Sequence, residues 1–192
     1  MCCSGRLGQP GVWVTDKETD KIELLRSRGY TRVHREPVTI FPYSKPFPAA
    51  DLPPGFTLCS LAEENDPAKI HACLWKGFNH GDEPDSDVDC RLLMQSGPNF
   101  RPELTTVIKA PSGEYACYTG MWFDERNKYA YLEPLATVPA YRRVGLATAA
   151  LTESMRKTKA LGAQYCFGGV PEFYGALGFE TIGHRELWRK EW

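Results

Sequence analysis

VPAYRRVGLA, residues 138–147, contains the junction from which the rest of the fold can be worked out. Pro139 ends an apolar run, and from about Val144 apolar residues recur every three or four positions as far as Met155, which predicts a helix. The first N–H groups of a helix lack partners within it, and its N-terminus carries a partial positive charge. With Gly145 at this end and two arginines before it, the junction predicts a binding site for a diphosphate.

The glycine of this junction belongs to neither of the two common phosphate-binding signatures. The P-loop pattern GxxxxGK(S/T) is absent, and the first glycine of the dinucleotide pattern GxGxxG is missing. Spacing alone therefore leaves two interpretations open: an anion site, or an ordinary strand-to-helix junction whose arginines are solvated.

Signals on both sides of the junction predict a mixed α/β fold. Asp66 and Pro67 have the residue types of a helix start, and Pro134 indicates a bulge in an otherwise regular strand. An antiparallel meander is followed by a strand–helix–strand crossover, which requires a parallel pair. Strands are predicted at 56–61, 105–109, 115–123, 129–138, 164–167 and 181–188, and helices at 67–78, from 92, at 144–161 and at 171–177.

Two motifs, in the right order, resemble those of the GNAT superfamily of N-acetyltransferases. RRVGLA, residues 142–147, fits the coenzyme loop R/Q-x-x-G-x-G/A, and FYGALGF, residues 173–179, fits the ending F-Y-x-x-x-G-F. The resemblance covers about residues 56–192. It implies a central mixed sheet, in which an antiparallel meander is followed by a parallel pair splayed at a bulge, with helices on both faces. It also implies direct transfer of an acetyl group from acetyl-CoA, or of a short acyl group from another acyl-CoA, to a primary amine. The acceptor itself cannot be read from the sequence, and we expect a small molecule.

Acetyl transfer to an amine requires a base, a donor to the oxyanion and an acid; the resemblance supplies the acid, Tyr174, and the positions of Glu133 and Leu135 at the bulge suggest the other two. Glu133 is the candidate general base, the N–H of Leu135 the candidate donor to the oxyanion, and Tyr174 the candidate acid that protonates the departing thiolate. Each side chain also has a plainer interpretation, as a surface carboxylate for Glu133 and a packed aromatic for Tyr174. The residues implied to bind the coenzyme are Ala136, Thr137, Val138, Arg142, Arg143, Val144, Gly145, Leu146, Ala147, Thr148 and Tyr174.

The acidic loop after the helix at 67–78 is the predicted acceptor-binding region. Its candidate residues are Phe78, His80, Asp82 and Glu83. The carboxylates at 82–89 favour a cationic acceptor, or they form a simple solvated loop. This loop lacks the glycine and the terminal glutamate of a calcium loop, and the cysteine spacing fits no zinc pattern, so no metal is predicted.

Composition limits the other partners. A net charge of -1 gives no general attraction for nucleic acid, and no apolar run reaches the length of a membrane helix. Neither nucleic acid nor a membrane is therefore expected as a partner, and a cytoplasmic location is expected. Seven cysteines, an odd number without a CxxC pair, predict reduced thiols.

Proline distribution suggests the domain organisation. Six of the fifteen prolines fall between Pro37 and Pro54, which predicts an extended linker at 37–55. Before it, a helix, Gly29 and a strand repeat the order seen at 173–182. We therefore expect residues 1–36 to be the remnant (helix plus strand) of a preceding GNAT-like domain, and residues 56–192 to be the acetyltransferase domain.

These features leave three alternatives for the function and favour one oligomeric state. The first alternative is an active N-acetyltransferase, the second a catalytically degenerate acyl-CoA-binding module that regulates another domain. The third is a cleft for some other phosphate-bearing ligand, because a shared architecture does not fix the ligand. Exposed strand ends and the detached N-terminal segment favour a homodimer.

Overall fold

The computed structural model describes residues 11–191, which form two compact units. One unit contains residues 11–40 and 169–191, and the other contains Phe41–Gly168. Residues 1–10 of the predicted remnant, with Cys2 and Cys3, lie outside the described residues. The elements are β1 (Gly11–Thr15), α1 (Thr19–Ser27), β2 (Thr31–Pro42), β3 (Thr57–Ser60), α2 (Pro67–Gly77), α3 (Asp89–Gln95), β4 (Thr106–Lys109), β5 (Tyr115–Asp124), β6 (Tyr129–Thr137), α4 (Leu146–Ala160), β7 (Tyr165–Phe167), α5 (Pro171–Tyr174) and β8 (Glu180–Arg189).

The first unit is an antiparallel sheet in which β8 pairs with both β1 and β2. Its buried cluster consists of Val14, Ile22, Leu25 and Trp188. The predicted helix and strand are present here as α1 and β2, with β1 preceding them, and Gly29 ends α1 with a φ of 78°. The origin of residues 1–36 as a domain remnant stays a prediction.

β2 is longer than the sequence pattern predicts. It continues to Pro42, so residues 37–42 of the predicted linker are strand residues, and Pro37 lies opposite His184. A register shift at Val38/Thr39 interrupts this ladder. Proline is tolerated in a strand next to such an irregularity, and proline content alone therefore misplaced the start of the linker.

The second unit contains the predicted meander. Its strands lie in the order β7-β6-β5-β4-β3, antiparallel except for the parallel pair β6 and β7. Neighbouring residues of β5 face opposite sides of this sheet. Tyr118 packs in the cluster that contains Leu74 of α2, and Cys117 in the cluster that contains Leu146 of α4. Helices therefore cover both faces, and the mixed α/β fold is confirmed.

The predicted helix boundaries agree with the structure for the start of α2 but not for α4 and α5. Asp66 caps α2 as predicted, because its carboxylate accepts hydrogen bonds from the N–H groups of Ala68 and Lys69. α4, in contrast, begins at Leu146 rather than at Val144, whose side chain is 49% exposed. The predicted helix at 171–177 is also shorter, since α5 ends at Tyr174 and a single 3-10 turn, Gly175–Leu177, follows.

None of the helices within residues 11–191 combines the length and the apolar character that a membrane crossing requires. The five cysteines of this part of the chain, Cys59, Cys73, Cys90, Cys117 and Cys166, are free thiols.

Candidate active site

The turn between β6 and α4 is held in an unusual backbone conformation. A single 3-10 turn, Pro139–Tyr141, follows β6, and then Arg143 and Gly145 both have positive φ, 68° and 87°. Gly145 is the N-cap of α4 and offers no side chain to the N–H groups of the first helical turn. This backbone explains why α4 starts two residues later than its periodicity predicts.

The space in front of Gly145 is open. A Cβ atom added at Gly145 would have the carbonyl oxygen of Asp51, 3.9 Å away, as its nearest neighbour. Glycine is therefore needed here for its left-handed backbone and not because another residue fills the space. An exposed, unshielded helix N-terminus next to two arginines is a suitable environment for a diphosphate.

Arg142 connects three parts of the second unit. Its Nε donates to the carbonyl oxygen of Thr137 at 3.0 Å, and its Nη2 donates to the carbonyl oxygen of Gly77 and to Oδ1 of Asn79, both at 2.9 Å. The guanidinium thus joins the end of β6 to the C-terminal end of α2, where carbonyl groups favour a cation. Sequence analysis did not find this positioning role, because Gly77 and Asn79 are distant in the chain. Coenzyme binding by Arg142 stays a prediction.

The predicted bulge lies at Glu133 and Pro134. Thr119 pairs with Leu135 and Met121 with Leu132, so β6 has one residue more than β5 between these pairs. Gly120 lies opposite the bulge, and a Cβ added there would be only 2.4 Å from the carbonyl oxygen of Glu133. Gly120, which the sequence analysis did not single out, is required for this close approach.

Desolvation favours the protonated form of Glu133, the proposed base. Its side chain is exposed, yet desolvation by the surrounding groups raises the pKa of its carboxyl. Its carbonyl oxygen accepts a hydrogen bond from Nε1 of Trp122 at 3.1 Å. Two contacts therefore constrain the backbone at the bulge: the close approach of Gly120 and the hydrogen bond from Trp122.

The backbone of β6 beyond the bulge faces an opening in the sheet. Pairing of β6 with β7 covers residues 129–131 only, whereas β6 continues to Thr137. The N–H of Val138 donates to the carbonyl oxygen of Ala116 on the β5 side at 2.9 Å. Because N–H direction alternates along an antiparallel ladder, the N–H of Leu135 points away from β5, toward the edge where pairing with β7 has ended.

Tyr174 belongs to the first unit. Its ring packs at 5.0 Å from the ring of Phe173 and at 5.1 Å from that of Phe179. A Cβ added at Gly169 would lie 2.7 Å from Cε2 of Tyr174, so glycine at that position gives the ring its space. Packing and the acid role are both compatible with these contacts, and the acid role stays a prediction.

The predicted acceptor residues Phe78, His80, Asp82 and Glu83 are all exposed, and they lie at the C-terminal end of α2 and in the loop after it. The ring of His80 lies 5.3 Å from that of Trp75. Their role in acceptor binding stays a prediction. Within residues 11–191, no group of three or more His, Cys, Asp or Glu residues is arranged to hold a metal ion.

Sequence analysis missed a buried histidine that secures this loop. His71 is 3% exposed; its Nε2 lies 3.1 Å from the carbonyl oxygen of Asp85, and its Nδ1 accepts a hydrogen bond from Nε of Arg91 at 3.3 Å. Because Nδ1 is an acceptor, Nε2 carries the proton and donates to Asp85. The sequence did offer one signal for this contact: His71 lies four residues before Trp75, which places both on the same face of the helix.

Comparisons with known proteins agree with this architecture. The model of the acetyltransferase (GNAT) family matches residues 55–179. None of the curated proteins matches the chain. A GCN5-related N-acetyltransferase from Sphaerobacter thermophilus superposes with a TM-score of 0.71 at 20% identity, over 96% of this chain and 60% of that chain.

Two other solved structures are similar in fold. A tandem GNAT protein from the clavulanic acid biosynthesis pathway has a TM-score of 0.66 and 14% identity, over 93% of this chain and 62% of that chain. A GNAT family acetyltransferase from Brucella melitensis, solved in complex with acetyl-CoA, has a TM-score of 0.52 and 13% identity, over 70% of this chain and 87% of that chain. The family match extends over more than half of the residues. The chain therefore belongs to the GNAT family of acetyltransferases.

Proposed function

We propose that this chain is an N-acetyltransferase that transfers the acetyl group of acetyl-CoA to a primary amine of a small-molecule acceptor. The observation that carries the proposal is the open turn at Gly145, where the N-terminus of α4 lies beside Arg143 at the end of β6. Such an end of a helix binds phosphate groups through backbone N–H groups and its dipole. Residues 143–148 would hold the diphosphate, and residues 136–138 of β6 would lie along the rest of the coenzyme.

Acetyl-CoA supplies an acetyl group activated as a thioester. The N–H of Leu135 is suited to donate a hydrogen bond to the carbonyl oxygen of that group, because it points toward the opening beside β6. A backbone donor that is already in place stabilises negative charge on oxygen without reorganisation. Gly120 and Trp122, which fix the bulge, would keep this donor in position.

The amine must be neutral before it can attack. Taking a proton from an alkylammonium group with a pKa of about 10.4 at neutral pH costs about 4.6 kcal/mol, so a base is needed. Glu133 is our proposed base, directly or through water. Desolvation raises the pKa of its carboxyl, which makes Glu133 a stronger base than an ordinary glutamate.

Tyr174 is our proposed acid. Its position in the FYGALGF motif supports the assignment, and its hydroxyl would give a proton to the departing thiolate of the coenzyme. The five free thiols between Cys59 and Cys166 fit a reducing compartment, and a cytoplasmic location is part of the proposal.

Coenzyme release from acetyl-CoA, measured with a thiol reagent across a panel of primary amines, tests the proposal. We expect amine-dependent release that is lost in Glu133→Gln, with matching acetylated product. Tight binding of acetyl-CoA without transfer to any amine would contradict the enzyme assignment and favour the regulatory module. No binding of acetyl-CoA would contradict both.

A further inference from the structure

Aromatic side chains are aligned along one face of the sheet in the second unit. Tyr129 and Tyr131 alternate onto the same face of β6, and the register places Trp122 of β5 opposite Tyr131. We call these three side chains the aromatic floor. The floor continues onto β7, where the ring of Phe167 lies 5.2 Å from that of Tyr129 and 6.5 Å from that of Tyr131.

A cavity of about 490 Å³ lies over the aromatic floor. On one side it is bounded by the loop after α3, where Phe100 lies 6.1 Å from the ring of Trp122. At the other end it reaches the turn between β5 and β6. Tyr131 is 42% exposed, so its ring face is accessible from the cavity. The other lining residues are Pro98, Asn99, Arg101, Phe123, Asp124 and Glu125.

At the turn, the residues that line the cavity are the two carboxylates Asp124 and Glu125. Asp124 accepts hydrogen bonds from the backbone N–H and from Nδ2 of Asn127, and these bonds lower the pKa of its carboxyl. Glu125, the next residue, is exposed. The cation of the lining, Arg101, donates its Nε–H to Glu103 at 2.7 Å. Two carboxylates thus face the cavity against one arginine that is already paired.

Two further cations, Arg126 and Lys128, belong to the turn but lie outside the lining of the cavity. Nζ of Lys128 is 5.9 Å from the centre of the Phe123 ring, which shows that an ammonium group and an aromatic face coexist here. The carboxylates of Asp124 and Glu125 can each accept more than one hydrogen bond. An ammonium group of a ligand would therefore find both acceptors and ring faces at this end.

The proposed base, Glu133, follows the aromatic floor along β6 and lies outside the residues that line the cavity. Glu133 lies two residues beyond Tyr131 on β6, on the same face, and its carbonyl oxygen binds Nε1 of Trp122. Glu133 lies four positions after Tyr129 on the strand, a distance of about 13 Å. Tyr129 lies opposite Asp124, so the same length separates the proposed base from the carboxylates of the turn.

We propose that the acceptor is an elongated amine with a second cationic group, which binds Asp124 and Glu125 while the reacting nitrogen lies at Glu133 and the chain between them lies on the aromatic floor. The inference rests on the proposed function, because it names the substrate class of that site. Ring faces attract cations and pack against methylene groups, and carboxylates attract the distal ammonium group.

Diaminooctane and octylamine, which differ only in the second amine, test the inference. With saturating acetyl-CoA, we expect kcat/KM to be about fivefold or more higher for the diamine, which corresponds to one favourable ion pair. A series from diaminobutane to diaminodecane should show a best length. Glu125→Gln and Asp124→Asn should each reduce the preference for the diamine, and Glu23→Gln, an exposed carboxylate of α1 in the other unit, should leave it unchanged.

Equal use of diamine and monoamine at every length would overturn the inference and leave the proposed function intact. A preference unchanged in both Glu125→Gln and Asp124→Asn would also overturn it. If neither amine is acetylated, the proposed function fails. Calorimetric titration of diaminooctane then decides the inference: weaker binding to Glu125→Gln than to the wild type supports it, and equal or absent binding contradicts it.

Discussion

Gly120→Ala should damage both the stability and the proposed activity of the protein, because the added methyl group collides with the backbone of the bulge. Its Cβ would lie 2.4 Å from the carbonyl oxygen of Glu133 and 3.0 Å from Cδ of Pro134. Ordinary contacts begin at 3.4 Å, so one strand must move by about 1 Å. Overpacking of this kind lowers the free energy of unfolding by about 1–3 kcal/mol, and we expect the upper end because the colliding atom is backbone.

The same displacement reaches the proposed catalytic groups. Moving Glu133 and the N–H of Leu135 by about 1 Å should lower kcat/KM about a hundredfold. Urea denaturation measures the first effect, and coenzyme release with the best amine of the panel measures the second. Gly175→Ala is the matched control for stability, since its added methyl group meets nothing within 4 Å. The reasoning is refuted if Gly120→Ala keeps the wild-type unfolding free energy and turnover.

Three further substitutions separate positioning from chemistry. Arg142→Lys should lower the free energy of unfolding by about 1 kcal/mol and weaken coenzyme binding, because an ammonium group cannot reproduce the forked contacts with Thr137 and Gly77. Urea denaturation and calorimetric titration of coenzyme A that both match the wild type would argue against a positioning role for Arg142. In the wild type, the rate should fall at low pH because Glu133 takes up a proton, and this fall should lie above the ordinary glutamate pKa near 4.5 because desolvation raises the pKa of Glu133. Glu133→Gln should remove this fall. Because the pKa of Glu133 is higher in the folded than in the unfolded chain, the free energy of unfolding falls as the pH rises from the unfolded pKa to the folded pKa. At neutral pH, Glu133→Gln should therefore melt at a higher temperature than the wild type. Tyr174→Phe should lower kcat with little change in the KM for acetyl-CoA, and an unchanged kcat would exclude Tyr174 as the acid.

Local sequence signals predicted those parts of the fold that depend on near neighbours. The cap at Asp66, the bulge at Pro134 and the end of α1 at Gly29 each follow from the conformations that one residue type permits or forbids. The start of α4 did not follow, because apolar spacing carries no information about the positive φ of Arg143 and Gly145.

Contacts between distant segments were beyond the sequence analysis. The loop motif suggested that Arg142 binds a phosphate, whereas the structure shows its guanidinium bound to Gly77 and Asn79 at the end of α2. The aromatic floor was also missed, since Trp122 and Tyr131 become neighbours only through the register of β5 and β6. Strand pairing of this kind is set by the whole sheet and not by the local pattern.

The most direct measurement is a calorimetric titration of coenzyme A into the wild type and into Gly145→Asn. Asparagine tolerates the left-handed backbone at this position and places a side chain in the open space before α4. Binding to the wild type with at least tenfold weaker binding to the variant is the expected result. No heat with the wild type, or equal affinity for both proteins, would contradict the claim that this turn holds the coenzyme.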